Sequence, residues 1–139
     1  MGEAELIRDL QRVPLFSRVS DKELRRIAKN FRPRSFAAGE EIAVEGKDGV
    51  GFFLIESGTA RVSRGGEEIR TLGEGDFFGE IALIDSGPRS ATVVAETAIT
   101  AHGMTAWAFR PLVESNIDLA WPLIETLVQR LRDAEQRQA

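Results

Sequence analysis

FFGEIALIDSGPRSATVVA, residues 77–95, sets a helix start, a carboxylate and an arginine around one small pocket. Gly79 opens a short apolar run, Ile81-Ala82-Leu83-Ile84, long enough for about one helical turn. The first N–H groups of such a turn have no internal partners and point outward, so they attract an anion. Arg89 follows a Gly87-Pro88 turn, and its planar fork can grip two phosphate oxygens at once. Ser90 adds a hydroxyl donor. Glu80, acceptor-only when ionised, suits a sugar hydroxyl far better than a phosphate. A phosphate grip beside a hydroxyl acceptor reads as a nucleotide site. The competing reading is a Glu80–Arg89 salt bridge across the turn. Both can hold in sequence, the two residues pairing until a ligand parts them.

To either side of this stretch the chain reads as short extended runs divided by glycine turns. Strands are predicted near residues 32–37, 40–45, 51–56, 59–64, 67–72, 91–96 and 98–104. Arg64-Gly65-Gly66-Glu67 is expected to be a tight hairpin, because two glycines tolerate the positive φ such turns require. Asp48-Gly49 is a second candidate turn. Phe77 and Phe78 read as core. Many short strands with regular turn signals predict a barrel or jelly roll.

Helical spacing flanks the extended region. Leu6, Ile7, Leu10 and Val13 predict a helix over residues 3–13, closed by Pro14, and a second helix runs from a Ser20 or Asp21 cap to near Asn30. After Met104 one helix is predicted from Ala106 to Ser115. Another runs from near Asp118 to Gln136, with Ile124, Leu127, Val128, Leu131 and Ala134 along one face. Pro122 falls early in it and need not break it. The last helix's apolar stripe is either a dimer seam or a face packed on the rest of the fold.

With 139 residues, the chain is expected to form one domain, mainly β with flanking helices: helices over 3–30, a β-roll over 31–104 and C-terminal helices over 106–137. A net charge of −4 provides no basic field for nucleic acid, so direct DNA binding is not expected and an anion must be held by local charge. The absence of cysteine excludes disulfides, thiol catalysis and thiolate metal sites. His102 is the only histidine, which leaves no histidine-rich metal centre and no nucleophile–base pair. An enzyme is therefore not expected, nor a metal or cofactor. The N-terminal MGEAELIRDL carries acids where a secretion signal carries bases. No segment is long and apolar enough to span a membrane, so a cytoplasmic location is expected.

Residues 77–95 resemble the phosphate-binding cassette of cyclic-nucleotide-binding domains. That family includes the bacterial catabolite activators, the regulatory subunits of cyclic-nucleotide-dependent kinases and the cyclic-nucleotide-gated channels. Phe78-Gly79-Glu80, the apolar turn and Arg89-Ser90-Ala91 carry the likeness. Upstream, Ala38-Gly39-Glu40-Glu41-Ile42, Glu45-Gly46, Phe52-Phe53-Leu54-Ile55 and Ser57-Gly58-Thr59-Ala60-Arg61-Val62 follow the family's order of strands and turns.

The resemblance implies a jelly-roll-like β-roll with two N-terminal and two C-terminal helices. It also implies roles. Arg89 and Ser90 would take the exocyclic phosphate oxygens, sharing that charge with backbone N–H groups near Ile81, Ala82 and Ala91. Glu80, with the Gly79 backbone, would accept from the ribose 2′-hydroxyl. Val62, Ile69 and Leu72 match positions that wall the base, and read equally well as core. Arg70 and Arg130 are more exposed candidates for base contact, or solvated charges. The ligand expected is cAMP, with cGMP open, because Ala134 and Glu135 fall where catabolite activators cap adenine with small hydroxyl residues. The resemblance describes a stand-alone sensor that signals by moving its C-terminal helices, Leu83 shifting with the ligand. Its output would go to a protein partner or a second copy through the last helix. The alternatives are a ligand-independent scaffold of the same fold, or a fragment of a larger regulated protein.

Overall fold

A computed structural model describes all residues except Met1, residues 48–50, Ser86 and Ala139. The turn expected at Asp48-Gly49 lies outside the described residues. The chain divides into two compact units, Phe31–Phe109 and a helical unit of Met1–Asn30 with Arg110–Ala139.

The first unit is a roll of two four-stranded sheets. Its strands are β1 (Arg32–Phe36), β2 (Glu41–Ala43), β3 (Gly51–Ser57), β4 (Ala60–Arg64), β5 (Glu67–Leu72), β6 (Phe77–Phe78), β7 (Thr92–Ala95) and β8 (Ile99–Thr105). One sheet has the order β1-β8-β3-β6 and the other β2-β7-β4-β5. Every pairing is antiparallel. β3 is buried from Gly51 to Ile55 and reads as an unbroken apolar run, as a strand covered on both faces must. β4 instead alternates, with Ala60 and Val62 buried and Arg61 exposed. Inward residues of both sheets meet in one cluster that includes Phe36, Phe53, Ile55, Val62, Leu72, Phe78, Val93 and Ile99. Phe53 anchors it, edge-on to Phe36 at 5.7 Å and beside Phe78 at 5.3 Å between ring centroids.

Two details of the second sheet bear on the cavity. The β4–β5 hairpin turns at Gly65 (φ 60°) and Gly66 (φ 83°), as expected for a two-residue turn with positive φ at both positions. Past the turn, Val62 pairs with Arg70 but Ser63 pairs with Glu68, so Ile69 is an extra residue in β5. Such a bulge breaks strict alternation and lets neighbouring side chains share a side.

β6 is an addition to the strands read from the sequence. Phe77 and Phe78 pair with Leu54 and Phe53. Phe78 is buried as expected of core, and the pair extends the first sheet as well.

The helical unit comprises α1 (Glu3–Gln11), a 3₁₀ turn at Pro14–Phe16, α2 (Asp21–Ala28) and α4 (Ile117–Gln138); α3 (Ala106–Glu114) carries the chain from one unit to the other. Ser20 caps α2, its hydroxyl accepting from the Glu23 N–H at 3.3 Å. Glu23 itself is buried and accepts from the Asn116 side chain. Asn116 in turn starts α4, its Oδ1 accepting from the Asp118 N–H at 3.2 Å. α4 runs through Pro122, which lies past the first turn and so removes one helical N–H donor.

On the face of α4 read as apolar, Ile124, Leu127, Val128 and Leu131 are exposed and Ala134 is half-buried. With Ile117 and Trp121 ahead of them, Ile124, Val128 and Leu131 follow one another at steps of four and three, and Trp121 is 57% and Leu131 59% exposed. The buried side of α4 is instead Leu119, Leu123 and Thr126. Among the described residues no helix is long and apolar enough to cross a membrane.

Candidate ligand cavity

Gly79 adopts φ +86° and starts a 3₁₀ turn over Glu80–Leu83. The left-handed conformation is costly for any residue with a Cβ. Space forbids one as well. A Cβ here would collide with Nη1 of Arg89 and the carbonyl oxygen of Gly51, with the Arg89 Cζ at 3.2 Å. The bare backbone of Gly79 is therefore the surface on which the Arg89 guanidinium lies.

The Arg89 side chain donates from Nη2 to the Gly51 carbonyl, while its Nε is buried without a partner. Burial pushes its pKa below the ordinary arginine value, and the charge of nearby Glu80 acts in the opposite direction. No ion pair joins the two among the described residues, so the salt bridge read as a competitor is not formed. Glu80 engages in no hydrogen bond there either, and its carboxylate is open to a ligand.

The backbone of Arg89 is held by distant segments. Its N–H donates to the Lys47 carbonyl at 2.7 Å and its carbonyl accepts from the Gly46 N–H at 2.9 Å. The Arg64 Nε donates to the Ser90 carbonyl at 3.0 Å. Glu45 links the two, its N–H donating to the Thr92 hydroxyl and its Oε1 accepting from the Gly65 N–H, each at 2.9 Å. The loop carrying Arg89 and Ser90 is thus clamped between residues 45–47 and the tip of the β4–β5 hairpin.

These elements enclose a cavity of about 670 Å³, inside the ~300–1,000 Å³ span of ordinary ligand sites. Gly79, Glu80, Ile81, Ala82, Arg89, Ser90 and Ala91 all line it. The Ala82 N–H donates to the Gly79 carbonyl at 3.1 Å within the 3₁₀ turn, so a ligand oxygen there would have to share or displace that bond. Val62 and Leu72 line the cavity while also belonging to the buried cluster. Ile69 and Arg70 reach the cavity together, as the bulge in β5 permits. Arg130 lies on α4 in the helical unit and is not among the lining residues.

The lining includes residues that the motif reading did not single out, chiefly Arg64, Asp76 and Asp85. Strand parity points to Arg64, which shares its side of β4 with Ala60 and Val62. The two aspartates serve their own loops: Asp76 accepts from the Gly73 N–H at 2.8 Å and Asp85 from the Gly87 N–H at 3.0 Å. The His102 Nε2–H donates to the Glu56 carboxylate across β8 and β3 at 3.1 Å, outside the lining. Among the described residues no group of three or more His, Cys, Asp or Glu could hold a metal ion.

Among the described residues the cavity thus holds a guanidinium without an ion-pair partner and a carboxylate without a hydrogen bond, a lining suited to an anionic ligand that carries hydroxyls. The family follows from direct comparison. Residues 33–116 match the cyclic nucleotide-binding domain, and the chain belongs to that family. It is 32% identical over 128 residues to a cAMP-dependent protein kinase regulatory subunit of Neurospora crassa, covering 91% of this chain and 31% of that one. It is also 32% identical to a cGMP-dependent protein kinase of Toxoplasma gondii, covering 88% of this chain but 12% of the kinase. The chain thus spans a third or less of these curated relatives. Among solved structures, the catabolite activator protein of Thermus thermophilus superposes with a TM-score of 0.67 at 31% identity, covering 90% of this chain and 61% of that one. The N-terminal domain of a Streptomyces coelicolor transcriptional regulator shares the fold, with a TM-score of 0.83 at 22% identity and 94% and 95% of the two chains covered.

Proposed function

We propose that this protein is a non-catalytic cytoplasmic sensor that binds cAMP in preference to cGMP and signals through its C-terminal helices. The observation that carries the reading is the state of Arg89: a guanidinium lining a cavity that, among the described residues, has no carboxylate partner and a buried Nε without an acceptor. A buried donor left unsatisfied costs about 1–3 kcal/mol, which a phosphate can offset by drawing the fork into new hydrogen bonds. In this reading Arg89 and Ser90 hold the exocyclic phosphate oxygens, helped by N–H groups near Ile81, Ala82 and Ala91. Glu80 accepts from the ribose 2′-hydroxyl, and Val62, Ile69, Arg70 and Leu72 receive the base. The preference for cAMP rests on the name of the Neurospora crassa relative, a cAMP-dependent kinase regulatory subunit, and the cGMP-dependent relative makes cGMP the natural competitor.

The output passes to a second copy of this chain. The exposed side chains of α4 are spaced by four and three over four turns, which is the pattern of a coiled-coil seam. Glu125 beside that seam is matched within the chain by Arg18 at 3.7 Å, which lowers the repulsion between two such helices. Ligand binding shifts the population between arrangements of these helices.

Calorimetric titration with cAMP and cGMP tests the reading. Wild type should bind cAMP saturably and more tightly than cGMP, and Arg89→Ala should abolish both. No binding of either nucleotide at millimolar concentration would overturn the sensor and leave an interaction module of the same fold.

A further inference from the structure

We infer that Arg64 is a second arginine of the anion site, carried by β4, that positions the Ser90–Ala91 peptide and adds its charge to the phosphate end of the cavity. This rests on the cyclic-nucleotide reading above. The first support is placement. Arg64 follows Ala60 and Val62 on the inward side of β4 and lines the cavity together with Arg89 and Ser90.

The second is the manner of its anchoring. Its Nε donates to the Ser90 carbonyl at 3.0 Å, which uses the inner edge of the guanidinium. Both terminal nitrogens are left without a hydrogen-bond or ion-pair partner among the described residues. The peptide unit is planar, so fixing the Ser90 carbonyl also fixes the direction of the Ala91 N–H. Arg64 therefore orients one donor of the site and offers two of its own.

The third is charge balance. The lining carries three acids, Asp76, Glu80 and Asp85, against three arginines, Arg64, Arg70 and Arg89, and among the described residues none of these acids forms an ion pair with Arg64. Arg64 thus keeps no carboxylate partner of its own there. The neighbouring Arg61 shows the contrast, since it points to the other side of β4 and is neutralised by Glu96. A site with two such forks favours a ligand whose phosphate presents two exocyclic oxygens at once.

The test is titration of cAMP into wild type, Arg64→Gln, Arg64→Lys and, as control, Arg61→Gln, each at several salt concentrations. Arg64→Gln should bind about tenfold more weakly and show a shallower dependence of log affinity on log salt. Arg64→Lys keeps the charge but loses the Nε donor, so it should retain the wild-type salt slope while binding about threefold more weakly. Arg61→Gln should match wild type in both. If wild type binds cAMP but Arg64→Gln matches it in affinity and slope, the role of Arg64 is refuted and the sensor stands. If Arg64→Gln is too unstable to titrate, Arg64→Lys decides: wild-type affinity refutes the positioning role. If wild type does not bind, both readings fail together.

Discussion

Replacing Gly79 with alanine applies two stresses that a second glycine can separate. Gly39 and Gly79 have nearly the same backbone angle, φ +87° and +86°. A Cβ on Gly39 would meet nothing within 4 Å, whereas one on Gly79 would strike the Arg89 guanidinium and the Gly51 carbonyl. Gly39→Ala therefore measures left-handed strain alone, about 1–2 kcal/mol. Gly79→Ala adds the crowding. The Gly51 carbonyl belongs to β3 and is backbone, so moving a side chain cannot relieve that clash; the main chain at Gly79 must shift, and the guanidinium lying on it gives way and loses its bond to Gly51. A hydrogen bond to a charged group contributes about 1.5–3 kcal/mol, which brings the expected total to about 2.5–5 kcal/mol. For a domain of this size that corresponds to roughly 9–17 °C in Tm. The two variants should differ even more in binding. Gly39→Ala should leave cAMP affinity intact, while Gly79→Ala should lower it at least tenfold, because the fork no longer lies where the phosphate arrives. Thermal denaturation and calorimetry on both proteins give the answer. Equal loss of stability with affinity unchanged in both would refute the claim that Gly79 is kept bare to seat Arg89.

Three further outcomes follow from the same structure. Glu80→Gln should weaken cAMP about tenfold and leave 2′-deoxy-cAMP unaffected, since the deoxy sugar has no hydroxyl for that carboxylate to accept from; equal losses for both nucleotides would remove Glu80 from the ribose. If α4 is the proposed seam between two copies, Leu131→Glu should shift the protein toward monomer in sedimentation velocity, with the monomer still folded by circular dichroism because within one chain that side chain is already in solvent. Glu23→Ala should cost about 1–3 kcal/mol by leaving the Asn116 amide without its acceptor, and on that background Asn116→Ala should cost only its cap of α4, about 0.5–2 kcal/mol; fully additive losses in denaturant unfolding would show that the contact does not link α2 to the start of α4.

Much of the roll is legible because its turns are written in glycine. Gly65-Gly66 announces a hairpin through the positive φ it must adopt, and the strands to either side, Ala60–Arg64 and Glu67–Leu72, fall close to the runs read near 59–64 and 67–72. β6 is harder to see. It has two residues, too few for any period, and its ring pair satisfies the simpler description of core. The apolar stripe of α4 is readable from spacing, but spacing does not say which side of the helix is covered, and Leu119 and Leu123 take that role.

The cavity divides in the same way. Gly79, Glu80, Arg89 and Ser90 lie within twelve residues of one another and advertise themselves by chemistry. Arg64 does not, because its closeness to Ser90 comes from strand pairing across 26 residues rather than from a motif. Ile69 reaches the lining through a bulge, an irregularity of register that a strict two-residue period cannot reveal. The relation between Glu80 and Arg89 is likewise a matter of tertiary context. The Gly51 carbonyl, from a strand nearly forty residues earlier, takes the hydrogen bond that the acid was expected to receive.

The clamp around Arg89 gives ligand binding a property of its own. Three of the contacts that set the loop join residues 47, 26 and 20 positions apart in the chain. No local fragment can assemble them, so an unfolded chain or an isolated cassette peptide has no pocket to offer. A molecule that recognises only the finished roll lends the whole of its binding free energy to the folded state, about 2.7 kcal/mol at a hundredfold excess over Kd. The nucleotide would then act on the lifetime of the protein as well as on its conformation, and a rise and fall in its concentration would be written into how much folded protein survives.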